Sequence, residues 1–166
     1  MSSDQGSGTE SVKAVCYTLE VALEKAIAME ERGFRNYLKA IQLVKDRQGK
    51  AILRDAAKEE LDHKQRIELA LLEGHDSNAA ILHQELPTMN LDYVFEQKEI
   101  SPDADARTAL AYAIHLEKQA VDFYKALISG CEGAPMAGLF KRLLADETRH
   151  LKNLEDFYER YFLTEN

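Results

Sequence analysis

The chain has 166 residues, a formal net charge of -8 and 45% hydrophobic residues. That length suits one domain with a real core, and the acidic balance argues against a nucleic-acid groove, which needs clustered Lys and Arg. Every apolar run stops short of the ~20 residues that span a bilayer, so neither nucleic acid nor a membrane is expected as a partner.

The opening residues, MSSDQGSGTE, are small and polar and lack the basic-then-apolar order of a secretory signal. Residues 1–14 therefore read as a disordered leader and 15–166 as one domain. Glycine and proline are scarce, 8 and 3, in a chain rich in Leu, Ala, Glu and Lys, which favours helices. The first helix is expected from about Val15 to Val44, with Leu19, Leu23, Ala26, Ile27, Phe34, Tyr37, Leu38 and Ile41 on one stripe. Asp46 to Gly49 breaks it. The second runs from about Ala51 to Glu73, with Gly74 as a natural stop. The third begins at Ser101-Pro102-Asp103, an N-cap followed by proline at the first helical position, and reaches Ile128. Gly130, Gly133 and Pro135 mark a turn, and the fourth helix runs from about Met136 to Phe162.

Between the second and third helices, roughly His75 to Ile100 is too long for a tight connection. Its apolar residues (Ile81, Leu82, Leu86, Leu91, Tyr93, Val94 and Phe95) point to a segment packed along the bundle, with room for a short helix. The expected fold is all-α, two helical hairpins joined by a long crossover, which is the ferritin-like way to connect a four-helix bundle. Cys16 and Cys131 belong to no C-x-x-C pair, which excludes a zinc ribbon or rubredoxin-type iron site within this chain. They read as reduced thiols of a cytoplasmic protein.

The two hairpins repeat one another. ALEKAIAME, ending at Glu30, is answered by ALAYAIHLE, ending at Glu117. Each half continues with a tyrosine at +7 (Tyr37, Tyr124), a glutamate at +30 (Glu60, Glu147) and a histidine at +33 (His63, His150). One Glu-x-x-His is unremarkable in so acidic a chain, whereas two in register with the same upstream Glu and Tyr are not. Residues three apart share a helix face, so each Glu-x-x-His can hold one metal. A +7 residue returns to nearly the same angle, which puts each tyrosine on its glutamate's face. All six acidic and imidazole residues fall inside apolar stripes that contain no Lys or Arg. Four carboxylates cannot neutralise one another, and an unpaired buried charge costs several kcal/mol. Two divalent cations would balance them, and the competing reading, a metal-free polar core, lacks the positive charge it needs.

Glu…Glu-x-x-His repeated across two hairpins resembles the dinuclear carboxylate proteins of the ferritin-like fold. The +7 tyrosines and the run Ala26-Ile27-Ala28-Met29-Glu30-Glu31 resemble rubrerythrins most, over about Leu19 to Tyr158. The resemblance implies Glu30 and Glu117 as single-carboxylate ligands, Glu60 and Glu147 as bridges, and His63 and His150 as caps. It implies Tyr37 and Tyr124 as catalytic-site residues that donate hydrogen bonds to ligand carboxylates. It further implies two iron ions, with manganese or a mixed pair as alternatives and no haem. Peroxide-reducing rubrerythrins usually carry a further glutamate three residues after the third-helix ligand; here that position is Ala120, which implies a nearly symmetric site, slower or less selective peroxide reduction and comparable reaction with oxygen. They also commonly carry a rubredoxin domain, and without its cysteines the electron donor must be a separate protein. A homodimer is expected.

The leading expectation is an oxidoreductase reacting with peroxide or oxygen. Its alternatives are an iron-binding ferroxidase without a dedicated substrate, and a bundle that metal merely stabilises. Glu31, Glu59 and Asp146 neighbour the six and read as surface or supporting groups. His75, His83 and His115 lack ligand spacing, and Met29, Met89 and Met136 form no haem-ligating pattern.

Overall fold

In the computed structural model, which describes residues 18–77, 79–86, 101, 103–130 and 136–164, three long helices begin at a side chain that caps them. Thr18 accepts the Val21 N–H at 3.3 Å and opens α1, Leu19–Leu43. Asp46 accepts the Gly49 N–H at 2.6 Å and opens α2, Arg47–Ser77. A short α3, Ala79–Leu82, follows. Asp105 accepts the Thr108 N–H at 2.8 Å and opens α4, Ala106–Gly130. Then come α5, Ala137–Tyr158, and a π-helical turn, Glu159–Leu163. The described residues form no strand.

Three boundaries differ from the sequence expectation, each for a local reason. The third long helix starts at Ala106, not at Ser101, because Ser101 is spent on a turn: its hydroxyl accepts the Asp103 N–H and its carbonyl the Ala104 N–H. The cap passes to Asp105. Gly74 does not stop α2; it lies inside the helix, where a Cβ would come 2.9 Å from Leu82 Cδ2, so its bare backbone serves packing against α3. Gly49 likewise belongs to the first turn of α2, and a Cβ there would collide with the Phe157 ring. The leader, Cys16, Cys131, Pro102, Gly133, Pro135 and crossover residues Leu91 to Phe95 lie outside the described residues.

The connection is ferritin-like. α1 and α2 form one antiparallel hairpin, α4 and α5 the other, and α1 also packs against α4. Leu19 N donates to Gln84 O at 3.1 Å, so the chain leaving α3 sits at the start of α1, whereas Ser101 O accepts from Lys39 near its end. The chain thus leaves α3 at one end of the bundle and resumes at the other, so α2 and α4 run parallel and both hairpins present the same faces inward. α1 meets α4 through small buried residues, Ala22, Ala26, Gly33 and Ala40 against Ala109, Ala113 and Ala120. Leu19, Leu23 and Tyr37 of the expected stripe are buried, whereas Leu38, placed on it by periodicity, is 39% exposed.

The apolar interior is split in two. One cluster holds Leu19, Leu23, Ile67, Leu82, Phe123, Tyr124, Phe140 and Leu143; the other holds Tyr37, Val44, Leu53, Leu110, Leu154 and Phe157. The polar residues of the repeat lie in the layer between them. Gly49→Ala tests the second cluster. In an ordinary helix interior the change stabilises by roughly 0.5–1 kcal/mol; here the methyl overpacks Phe157 and is expected to destabilise by about 1–3 kcal/mol, read as a lower urea midpoint. A raised midpoint would mean the ring does not lie on Gly49.

Candidate metal centre

Each long helix sends one part of the polar layer inward: Glu30 from α1, Glu60 and His63 from α2, Glu117 from α4, Glu147 and His150 from α5. All six are at most 3% exposed, so the residues that the repeat singled out are brought together. They form two groups whose ligand atoms lie within 4.8 Å of one another: Glu30, Glu60, His63 and Glu147, and then Glu60, Glu117, Glu147 and His150. Glu60 and Glu147 belong to both. His75, His83 and His115 are exposed and elsewhere.

The imidazoles point their Nδ1 atoms inward. His63 Nδ1 lies 2.7 Å from Glu147 and 3.3 Å from Glu30; His150 Nδ1 lies 3.4 Å from Glu60, 3.5 Å from Glu147 and 3.9 Å from Glu117. The two rings stack at 5.7 Å. Their Nε2 atoms point outward to the opposite hairpin, His63 to Asp146 at 3.3 Å and His150 to Glu59 at 2.8 Å. Arg149 pairs with both outer carboxylates. A carboxylate on one ring nitrogen fixes the rotation of the ring and presents the other nitrogen, so Glu59 and Asp146, expected as surface or supporting groups, orient the histidines.

The tyrosines cross between hairpins as well. Tyr37 of α1 donates to Glu117 of α4, and Tyr124 of α4 donates to Glu30 of α1. Each therefore supports the other half's lone glutamate. One further pair was not singled out beforehand as a pair. Gly33 and Ala120 sit at +3 from Glu30 and Glu117, and a Cβ on Gly33 would come 2.5 Å from Glu60 Oε2. The repeat register carries the signal for both, since each lies at the same offset from its lone glutamate.

Burial and charge crowding set the protonation of the layer. Burial, reinforced by Glu147, holds Glu30, Glu60 and Glu117 above the usual carboxylate range. Burial works the same way on Glu147, but hydrogen bonds from His150 and His63 outweigh it and hold that carboxylate below the range. For His63, burial opposes the charged form, yet hydrogen bonds to Glu147 and Glu30 push it up to about 10. Against the same opposition, Glu147 and then Glu59 raise His150. Burial first, and then their carboxylate acceptors, raise both tyrosines.

Within this layer Glu60 Oε1, Glu117 Oε2 and His150 Nδ1 lack a well-formed hydrogen bond, and Glu147 Oε1 has only the His63 Nδ1 contact at 2.7 Å. Buried polar atoms are seldom left so, and these four face the shared centre of the two groups. Oxygen and imidazole nitrogen donors converging on one centre fit a first-row divalent cation.

Among known families, the rubrerythrin family model matches residues 108–166. The chain is rubrerythrin-like. The match covers α4 and α5 with Glu117, Tyr124, Glu147 and His150, and the first hairpin supplies the same four positions through the internal repeat. No curated protein and no solved structure matches the chain. This rubrerythrin-like bundle has no described helix long and apolar enough to cross a membrane.

The raised groups give a sign for pH dependence in chelated protein. His63, raised from 6.5 to about 10, favours folding fully below the lower value, and that contribution is lost as pH rises through the higher one. Glu60 and Glu117, also raised, lose theirs in the same direction, starting from their unfolded value. Glu147, lowered, contributes above its unfolded value and loses that only on strong acidification. Chelated protein is therefore expected to melt lower at about pH 9 than at about pH 6. Calorimetry across that range checks it, and a flat or rising profile would contradict the proton sharing described.

Proposed function

We propose that the chain is a non-haem di-iron oxidoreductase of rubrerythrin type, reacting with peroxide or oxygen in the buried layer. One observation carries the reading: two four-residue groups share two carboxylates, Glu60 and Glu147. A pair of ions with two common ligands needs that donor set. In this reading Glu30 and His63 complete one position, Glu117 and His150 the other, and Glu60 and Glu147 serve both.

Bound iron would supply two electrons at adjacent ions for reducing an O–O bond. The protein's own contribution is positional and protonic. Tyr124 and Tyr37 hold Glu30 and Glu117 by their outer oxygens and keep their phenolic protons at neutral pH. Asp146 and Glu59 keep the two Nδ1 atoms facing inward. The apolar clusters at either end exclude bulk water and strengthen every charge interaction in the layer. Reducing hydrogen peroxide to two waters consumes two electrons and two protons, and in this reading the electrons come from a separate donor protein.

Protein purified without added metal and then loaded with ferrous ion is expected to bind two iron ions per chain. Stopped-flow mixing with hydrogen peroxide and with oxygen should oxidise it, with peroxide turnover exceeding any turnover of added ferrous iron. Loading should raise the melting temperature and chelation lower it, since a ligand that binds only the folded state stabilises it. Glu60→Ala and Glu147→Ala are expected to abolish that difference. Identical melting curves with and without metal, together with no iron uptake, would sink the proposal; ferrous turnover without peroxide turnover would favour a ferroxidase.

A further inference from the structure

The polar layer is closed on most sides. The two apolar clusters, with Tyr124 in one and Tyr37 in the other, cover its ends. On the side where α2 faces α5, Glu59 and Asp146 cover the histidines and are tied together by Arg149. Between α1 and α4 the layer is bordered differently, by a narrow cleft. Gly33 and Met29 belong to one wall, Ala120 and Leu116 to the other, and Glu60 and Glu147 reach it from the far side of the bundle. Arg32, partly exposed, stands at its edge and makes no ion pair among the described residues.

Small residues at a helix contact ordinarily mean only close packing. Two observations set this contact apart. A Cβ at position 33 would fall 2.5 Å from Glu60 Oε2, so any side chain there would occupy the inner end of the cleft. Two carboxylate oxygens of its lining residues, Glu60 Oε1 and Glu117 Oε2, are buried without a hydrogen bond. The cleft thus ends on unpartnered acceptors, not on apolar atoms. It offers about 10 Å³ to the centre of a water-sized molecule, roughly the amount one such molecule needs.

We propose that Gly33 and Ala120 are specificity-determining residues, forming the slot through which a two-heavy-atom oxygen species, hydrogen peroxide or dioxygen, reaches the layer while organic hydroperoxides are refused. This inference rests on the metal-centre reading above. Both residues stand at +3 from a lone glutamate, so the repeat places one small residue on each wall, and neither wall alone could keep the slot open. A hydroperoxide carrying a carbon chain would have to push α1 and α4 apart, because the slot is lined by backbone at Gly33 and by a single methyl at Ala120.

Position 120 is the better one to vary, since a side chain at 33 would displace Glu60 itself. Full-length protein, Ala120→Val and Ala120→Gly would each be loaded with iron and their metal content measured. Azide binding to the oxidised protein, followed by its charge-transfer absorption, reports access independently of turnover. Oxidation of the reduced protein by hydrogen peroxide and by cumene hydroperoxide reports selectivity. Ala120→Val is expected to weaken azide binding about tenfold or more at unchanged iron content, and Ala120→Gly to bring the two peroxide rates about tenfold closer, the range that one or two methyl groups command in a fitted pocket. Parent protein that oxidises equally fast with both peroxides overturns the slot. So do variants that load iron yet match the parent in azide affinity and in rate ratio. If Ala120→Val fails to fold, Ala120→Gly alone decides through the rate ratio. A parent that takes up no iron overturns the proposed function, and the slot with it.

Discussion

Four glutamates buried in one layer between two apolar clusters are the constraint on which the rest of this structure depends. Each is at most 3% exposed, and none can be neutralised by another. Ionised carboxylates in such surroundings cost several kcal/mol apiece unless positive charge joins them, and no Lys or Arg lies in the layer. The two histidines are the only basic groups within it. Much of the surrounding architecture serves to bring those few groups into mutual reach and to hold them there.

The holding is done across hairpins rather than within them. Tyr37 and Tyr124 exchange hydrogen bonds with the lone glutamate of the opposite hairpin, and Glu59 and Asp146 do the same for the opposite histidine. Each hairpin thus completes its partner's half of the layer, and neither half is finished alone. This explains why the crossover matters to the chemistry. Only a connection that travels the bundle makes α2 and α4 parallel, so that α1 meets α4 antiparallel and Tyr37 arrives at Glu117 while Tyr124 arrives at Glu30. A tight loop between α2 and α4 would reverse the second hairpin and bring different levels of the helices together.

The six inward residues and both tyrosines were legible in the sequence because duplication turns spacing into geometry: a residue shared by both copies at one offset must serve both in one place. Helix ends were less legible, since caps are decided by which of several nearby polar residues gets the N–H. Ser101 and Asp105 both qualify by type, and only the Ser101 to Ala104 turn settles it in favour of Asp105. Glycine was misread at position 74 for a related reason. A missing Cβ signals either a helix end or a close neighbour, and the neighbour, Leu82, comes from a segment whose position no local pattern encodes. The outward contacts of the histidines were also out of reach, because Glu59 and Asp146 act on the hairpin to which they do not belong.

The layer is symmetric in residue type but not in protonation. Glu147 receives both histidines, with His63 Nδ1 at 2.7 Å and His150 Nδ1 at 3.5 Å, while Glu60 has only His150 Nδ1, at 3.4 Å. That difference holds Glu147 below the carboxylate range while Glu60 is held far above it. With protein atoms alone, the negative charge therefore concentrates on one of the two shared carboxylates, and the histidines carry the balancing protons. Cations at the shared centre would change this balance at every member at once: imidazole nitrogens lose their protons to become ligands, and the raised carboxylates ionise together. Equal treatment of Glu60 and Glu147 would then be a property that bound cations impose on the layer, and the duplicated sequence only makes it possible.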